Sequence, residues 1–206
     1  MGKAIQDISR WLQTGSINIF GLPFAGKDTQ AQQLGNLLDA PVIGSGQILR
    51  GHHEEEKVKQ LSSTGKLFPS DYYFSIVLPF LSKPEFTDKP LVLSSVGRWS
   101  GEEEVITEAA AKAGHPLKAV VLFKLGADEV HRRFEASQKK MDRGLRHDDA
   151  AHLIDVRLEE FMNKTVPVIE AYRRKGLLVE VDGMQSPANV TKAMVDALAM
   201  RAEKPS

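Results

Sequence analysis

The sequence predicts an α/β fold in which a five-stranded parallel β-sheet carries helices on both faces. Short apolar runs alternate along the chain with longer segments of helical spacing, and strands that are separated by helices pair in parallel. A glycine-rich turn joins the first apolar run to the helical segment after it. The length of 206 residues is enough for one such domain with a full core. The predicted strands are residues 17–20, 41–43, 89–93, 117–125 and 177–183.

Apolar residues at helical spacing predict the elements between these strands. The first of them, residues 1–15, precedes the sheet, with Ile5, Ile8, Trp11 and Leu12 on one side. We interpret it as an extra helix that packs on the domain edge, in preference to a helix that docks a partner. The later helices are predicted at residues 31–38, 51–63, 72–81, 101–113, 127–138, 165–172 and 187–200.

The composition excludes several classes of function. Acidic and basic residues balance at 27 each, so the net charge indicates neither a nucleic acid polymer nor a membrane as partner. Cysteine is absent, which excludes disulfides, thiol catalysis and a cysteine-ligated zinc site and fits a reducing cytoplasm. No apolar run approaches the roughly 20 residues of a membrane span, and the N-terminus lacks the apolar core of a signal peptide. We therefore expect a cytoplasmic protein.

The segment Gly21–Gln30 carries the strongest functional signal. It reads G-L-P-F-A-G-K-D-T-Q and stands between a predicted strand and a predicted helix. Glycines let backbone N–H groups surround a phosphate, and a helix N-terminus adds partial positive charge. Lys27 supplies a full positive charge for the terminal phosphates. The alternative, an ordinary turn with two glycines, does not account for the lysine and the helix in register, so we predict a phosphate-binding loop.

The pattern G-x-P-x-x-G-K-x-T-Q resembles the phosphate loop of adenylate kinases and related nucleoside monophosphate kinases. The resemblance extends from about residue 18 to residue 198 and implies a three-layer P-loop kinase fold. It also implies a small acceptor-binding insert at residues 45–82, a short lid near 138–148, and Mg²⁺ with ATP. Thr29 would be a weak, indirect ligand of that metal. The implied ATP-binding residues are Gly21, Pro23, Ala25, Gly26, Lys27, Asp28, Thr29 and Arg133.

Two further segments resemble the acceptor side of the same family. Residues 44–50, G-S-G-Q-I-L-R, are similar to its S-T-G-D-L-L-R, and residues 64–71 are similar to its S-G-K-L-V-P-D-E turn. Arg98 matches a second arginine that binds the acceptor phosphate, and an arginine fork suits a phosphate face. The implied acceptor-binding residues are Ser45, Arg50, Phe68, Arg98 and Glu102.

The resemblance also implies residues for phosphoryl transfer. Arg146 begins the pattern R-x-D-D, Arg157 follows it by eleven residues, and the family uses both arginines on the transferring group. Residues 165–172 match the family helix T-x-P-[LV]-I-x-x-Y. Positioning and charge neutralisation supply the catalysis, so the protein needs neither a nucleophile nor a general base. The implied catalytic residues are Lys27, Arg98, Arg146 and Arg157.

Several positions depart from the family pattern. Asp28 replaces a glycine, Gln47 an acid, and Ser137 an arginine near the ATP base. Ser94 stands where the family has the acid that holds the waters of Mg²⁺, and a hydroxyl cannot supply a carboxylate's charge. Either Asp28 or a more distant acid compensates, or phosphoryl transfer is slow.

Glu102 bears on the identity of the acceptor. It lies four residues after Arg98, where the family has a glutamine that pairs with adenine. An ionised carboxylate only accepts hydrogen bonds, and guanine offers two adjacent donors. AMP is the leading acceptor by resemblance, and GMP is the challenger. In the alternative interpretation Glu102 faces solvent in an acidic first turn, where the helix dipole favours it.

The predicted function is transfer of the ATP γ-phosphoryl group to AMP or another nucleoside monophosphate by a monomer. Two alternatives stay open. A catalytically weakened nucleotide-binding protein of the same fold is favoured by the departures at Asp28, Gln47, Ser94 and Ser137. A P-loop kinase for a different small molecule is disfavoured because Arg50 and Arg98 match an acceptor that already bears phosphate.

Overall fold

The computed structural model describes residues 1–51, 56–140 and 151–203, and within them it forms one parallel sheet of five strands. The strand order is β2-β3-β1-β4-β5, and every neighbouring pair is parallel. The α/β class and the five-stranded parallel sheet are therefore confirmed. The strands are β1 Ser16–Gly21, β2 Val42–Gly44, β3 Leu91–Ser94, β4 Leu117–Lys124 and β5 Leu178–Asp182.

Helices follow each strand, as the alternating pattern predicts. A short 3-10 helix, Pro84–Phe86, precedes β3, and a π-helix, Phe161–Thr165, joins α8 to α9. The α-helices are α1 Gly2–Leu12, α2 Lys27–Leu38, α3 Ser45–Gly51, α4 Glu56–Ser62, α5 Ser70–Leu81, α6 Glu102–Lys112, α7 Ala127–Lys140, α8 Ala151–Glu160, α9 Val166–Arg174 and α10 Pro187–Ala202.

The central strands β1 and β3 are buried on both faces, in agreement with their largely apolar sequences. Ile17 and Ile19 of β1 pack with α1, α2 and α10 on one face. Phe20, which points the other way, packs with Tyr172 and Ile169 of α9. Helix α1 lies against α10 and α2, with Ile8 and Leu12 fully buried. Its apolar side is thus part of the domain's own core.

Helices α3 to α5 form a separate apolar cluster on the side of the sheet that carries β2 and β3. The cluster combines Ile48, Val58, Phe68 and Val77 of this segment with Leu93 of β3 and Ile106 of α6. The predicted acceptor insert, residues 45–82, therefore packs against the central domain. Most of the predicted lid at 138–148, with Arg146, lies outside the described residues.

Two loops meet at the carboxyl edge of the sheet. Strands β1 and β3 are neighbours with Ile19 opposite Ser94, so the β1–α2 loop (residues 22–26) lies beside the β3–α6 loop (residues 95–101). A crevice between such loops is where ligands bind in parallel α/β sheets. No helix in the described parts of the chain is both long and apolar enough to cross a membrane.

Candidate active site

The β1–α2 loop has the strand–turn–helix geometry of an anion site. Strand β1 ends at Gly21 and α2 begins at Lys27. Between them Phe24 and Gly26 have positive φ angles of 60° and 79°, and the Ala25 N–H donates to the Leu22 carbonyl oxygen at 3.1 Å. A Cβ added to Gly21 would lie 3.1 Å from that of Ala25, so the tight turn leaves little room for a side chain there. The first-turn N–H groups of α2 and Lys27 together favour a bound anion.

Two of the departures from the family pattern are in contact. Ser94 Oγ donates a hydrogen bond to Asp28 Oδ1 at 2.8 Å. Ser94 is buried at the end of β3, whereas Asp28 and Thr29 are exposed in the first turn of α2. Carboxylate and hydroxyl oxygens are ligands that suit a hard cation such as Mg²⁺. The described residues contain no cluster of three or more His, Cys, Asp or Glu side chains suited to a metal. The oxygens of Asp28 and Thr29 therefore fit a metal that is also held by phosphate oxygens.

Arg133 of α7 ties the β1–α2 loop to the far side of the sheet. Its guanidinium donates to the Phe24 carbonyl at 3.3 Å, the Gly183 carbonyl at 2.7 Å and Glu129 Oε1 at 2.7 Å. Hydrogen bonds from Arg132 and Arg133 lower the pKa of Glu129 from 4.5 to about 2. Sequence reasoning named Arg133 but missed Glu129, which orients it. The predicted contact of Arg133 with the ATP base stays a prediction.

Side chains from other elements hold the backbone of the β3–α6 loop. Asn18 of β1 donates to the Val96 carbonyl at 2.7 Å and accepts from the Val96 N–H at 3.3 Å. The hydroxyl of Tyr73 on α5 accepts from the Gly97 N–H at 3.1 Å. Both side chains are buried, and sequence reasoning missed both. The available signal was Asn18 itself, a polar residue within an apolar strand. These bonds fix the direction in which Arg98 leaves the loop.

Ser45, a predicted acceptor contact, belongs to the same buried network. Its Oγ donates to the Ser95 carbonyl at 2.6 Å and lies 2.6 Å from the Tyr73 hydroxyl. Because that Ser45 proton is already donated, Tyr73 supplies the proton between the two hydroxyls. Burial raises the pKa of Tyr73 to about 12, so it stays a neutral donor. The role of Ser45 toward an acceptor nucleotide stays a prediction.

Glu102 is buried with only 5% of its surface exposed, so the interpretation that it faces solvent is wrong. Its Oε2 accepts from the N–H groups of Arg98 at 2.7 Å and Trp99 at 3.0 Å, and its Oε1 accepts from Ser70 Oγ at 2.6 Å. Both carboxylate oxygens therefore already have protein donors. Reading of the acceptor base by Glu102 stays a prediction, and this geometry assigns the side chain a structural task first.

Arg98 of the β3–α6 loop lies within range of the positive charge of Arg157 on α8. Burial lowers the pKa of Arg98 to about 10, and the positive charge of Arg157 acts in the same direction. The carboxylate of Glu102 opposes both effects. Two neighbouring positive charges favour a bound anion, which would relieve their repulsion. Arg157 packs against the turn of the insert, where a Cβ added to Gly65 would lie 3.6 Å from the Cγ of Arg157.

The turn at residues 64–68 is held by the helix that carries Arg157. Glu160 accepts from the Leu67 N–H at 2.9 Å and from Lys164 Nζ at 2.8 Å. Lys164 Nζ also lies 3.9 Å from the ring centroid of Trp99 in the β3–α6 loop. Phe68 is buried and stacks on Tyr72 with ring centroids 6.2 Å apart. Arg146 and the side chain of Arg50 lie outside what the structure describes.

A glycine-rich loop at the head of α2, beside a loop that bears Arg98 at the same edge of a parallel sheet, is the arrangement of a P-loop phosphotransferase. The chain belongs to the adenylate kinase family, because the family model described as adenylate kinase matches residues 19–177. The matched residues include the end of β1, strands β2 to β4, the insert and both loops described above, and they end just before β5.

Similar proteins include three bacterial adenylate kinases. That of Dehalococcoides mccartyi (strain CBDB1) is 28% identical and covers 89% of this chain and 97% of its own length. That of Xylella fastidiosa (strain 9a5c) is 29% identical, covering 87% and 97%. That of Clavibacter michiganensis subsp. michiganensis (strain NCPPB 382) is 30% identical, covering 91% and 94%.

Proposed function

We propose that the protein transfers the γ-phosphoryl group of ATP to a nucleoside monophosphate, with AMP as the leading acceptor and Mg²⁺ bound with ATP. The observation that carries this proposal is the position of the β1–α2 loop beside the β3–α6 loop, which bears Arg98, at one edge of the sheet. The positive charge of Arg157 acts on Arg98 there. A donor polyphosphate on one loop and an acceptor phosphate at the arginine pair would face each other across the crevice.

In this proposal each charged group has one task. The α2 N-terminus and Lys27 bind the β- and γ-phosphates, and Arg98 and Arg157 neutralise the acceptor phosphate and the group in transfer. Mg²⁺ would supply charge neutralisation between the phosphates of ATP. The hydroxyl network of Ser45 and Tyr73 keeps the Arg98 backbone in place. Rate acceleration then comes from positioning and electrostatics, without a nucleophilic side chain.

We assign acceptor binding to the insert, residues 45–82, and closure over the nucleotides to the segment 138–148. The contact of Leu67 and Glu160 supports the first assignment, because it places the turn of the insert next to Arg157. Ser45, Arg50 and Phe68 are the proposed acceptor contacts within the insert. The source of selectivity between AMP and GMP is Glu102 if that side chain turns toward the base.

The deciding experiment is a coupled turnover assay of ATP and Mg²⁺ with AMP, GMP, CMP and UMP in turn. Turnover with one of them, abolished by Arg98→Ala and by Arg157→Ala, supports the proposal. Tight ATP binding without turnover on any acceptor would instead establish a nucleotide-binding protein without kinase activity, which the departures at Asp28 and Ser94 favour. A cytoplasmic location and a monomeric state also stay predictions, and light scattering after gel filtration tests the second.

A further inference from the structure

The negative charge of Asp28 is unexpected in a turn that would bind phosphate. It is the second residue of α2, directly after Lys27, in the turn whose N–H groups and helix dipole favour anions. A carboxylate there repels a polyphosphate bound to the same turn, because like charges oppose each other most strongly where water is displaced. The side chain is exposed, so its position is not dictated by packing in the core.

Ser94 gives this carboxylate a defined position. Ser94 is 3% exposed, and its hydroxyl donates to Asp28 Oδ1 at 2.8 Å from the end of β3. In the sheet Ser94 is aligned with Ile19 of β1, three residues before the β1–α2 loop. The hydrogen bond thus holds the carboxylate at the crevice between β1 and β3, which is the crevice where the proposed ATP phosphates would lie.

We propose that Asp28, oriented by Ser94, is the carboxylate through which this protein holds the Mg²⁺ that accompanies ATP. Magnesium is commonly bound through one or two carboxylates together with substrate phosphates, and it keeps several of its waters. An ion bound by both Asp28 and the phosphates would offset the repulsion between them. In this proposal the metal is held jointly by Asp28 and the nucleotide phosphates. This inference rests on the proposed ATP binding.

The proposal has a consequence that a structural role for Asp28 does not share. Without metal, Asp28 opposes binding of the nucleotide; with Mg²⁺, it supports binding. Asp28→Asn, which keeps the shape and can still accept from Ser94, should therefore tighten metal-free binding and weaken binding with Mg²⁺. A residue that only stabilises the loop would change both affinities in the same direction.

The experiment is isothermal titration of the full chain with the non-hydrolysable ATP analogue AMPPNP, once with EDTA and once with saturating Mg²⁺. The quantity of interest is the ratio of the two dissociation constants. Asp28→Asn should reduce the Mg²⁺ enhancement by about tenfold or more, the effect of losing one hydrogen bond or ion contact of a charged group. Ser94→Ala should reduce it less, because the carboxylate remains but is no longer oriented.

Asp128→Asn is the matched control. Asp128 is likewise an exposed second residue of a helix, α7, that follows a strand of the same sheet. Its substitution should leave the Mg²⁺ enhancement unchanged. Electron paramagnetic resonance of Mn²⁺ added to each protein with AMPPNP gives a second readout, in which Asp28→Asn should weaken retention of the ion and Asp128→Asn should not.

A double variant reverses the contact. Asp28→Ser with Ser94→Asp puts the carboxylate on β3 and the hydroxyl on α2, and it should recover most of the Mg²⁺ enhancement. Ser94→Asp alone sets two carboxylates face to face and should lower the thermal midpoint unless a divalent cation is present. An unchanged enhancement in Asp28→Asn, with AMPPNP still bound, overturns this inference and leaves the proposed function standing. Failure of the wild-type protein to bind AMPPNP at all overturns both.

Discussion

The β1–α2 loop and the β3–α6 loop lie side by side at one edge of the sheet, yet they are held in different ways. Residues within the β1–α2 loop itself and the helix that follows it set its shape, through the positive φ angles at Phe24 and Gly26 and the Ala25 N–H to Leu22 bond. The shape of the β3–α6 loop depends on Asn18 and Tyr73, which come from β1 and α5.

This contrast separates two kinds of active-site design. The turn of the β1–α2 loop is set by its own backbone and is supported from outside by Arg133 of α7, so we expect it to tolerate more change in the rest of the chain. A loop held by distant polar side chains couples its arginine to the packing of several elements, so substitutions there should alter stability and ligand binding together. The predictions below use this difference, beginning with the largest expected effect.

Lys27→Ala should affect chemistry and leave folding intact. Lys27 is partly exposed at the start of α2, so its loss should change the thermal midpoint little. Turnover with ATP and AMP should fall by about 10²-fold or more, the typical effect of removing one electrostatic group from a transition state. Steady-state kinetics measures this, with the exposed Lys112→Ala as control. Retention of most of the turnover would contradict the assignment of this loop to the phosphates.

How far the sequence could predict each loop follows from the same contrast. The β1–α2 loop was predictable because seven adjacent residues, G-L-P-F-A-G-K, encode both the turn and its charge. The contact of Asn18 with Val96 spans 78 positions, and no local pattern encodes it. Asp28 and Ser94 stood in the sequence as two separate departures, and only the parallel pairing of β1 with β3 brings them together.

Glu102 illustrates how a sound local rule can fail. An acid in the first turn of a helix is favoured by the dipole whether or not it faces solvent. Here the carboxylate turns back toward the β3–α6 loop and accepts from the N–H groups of Arg98 and Trp99. That turn back depends on the position of Ser70, which lies 32 residues earlier. Tertiary structure, and not the helix propensity, decides the orientation.

Glu102→Ala should damage the β3–α6 loop and spare the β1–α2 loop. The substitution leaves three donors without their acceptor, which should lower the free energy of unfolding by about 2–3 kcal/mol. We expect KM for the monophosphate to rise while KM for ATP stays within about twofold, because only the Arg98 side is disturbed. Urea denaturation and steady-state kinetics measure both effects, with Glu104→Ala, an exposed acid of the same helix turn, as control.

The conservative variant Glu102→Gln separates the two roles of this side chain. If Glu102 only positions Arg98, kcat/KM for AMP and for GMP should fall by the same factor. A change in the AMP-to-GMP ratio would show instead that Glu102 reads the base, since an amide and a carboxylate offer different hydrogen-bonding groups.

Acid should weaken the support of the β1–α2 loop through Glu129. The pKa of Glu129 is about 2 in the folded protein and 4.5 in the unfolded chain. Its contribution to the free energy of unfolding is therefore complete above about pH 4.5 and is lost as the pH falls toward 2. Glu129→Gln should therefore lower stability at pH 7 and flatten its decline between about pH 5 and 3. The effect should be modest, because the partner Arg132 is largely exposed. Urea midpoints at pH 7, 5 and 3 test this, and a decline as steep as in wild type would contradict it.

The smallest effects should separate hydroxyl groups that are partnered from one that is not. Ser45 Oγ has two partners in the network of the β3–α6 loop, whereas Thr165 Oγ1 in the π-helix is buried without a hydrogen-bond partner among the described residues. Ser45→Ala should lower the free energy of unfolding by about 1–2 kcal/mol, because the Tyr73 hydroxyl loses its acceptor.

Thr165→Val keeps the shape of the side chain and removes a buried hydroxyl that has no hydrogen-bond partner among the described residues. It should leave stability unchanged or raise it by about 1 kcal/mol, since burial of an unbonded hydroxyl is unfavourable. Thermal denaturation of both variants beside wild type measures the difference. A loss of stability in Thr165→Val as large as that in Ser45→Ala would mean that the Thr165 hydroxyl is bonded, and that networks of this kind extend beyond the β3–α6 loop into the helix that carries Lys164.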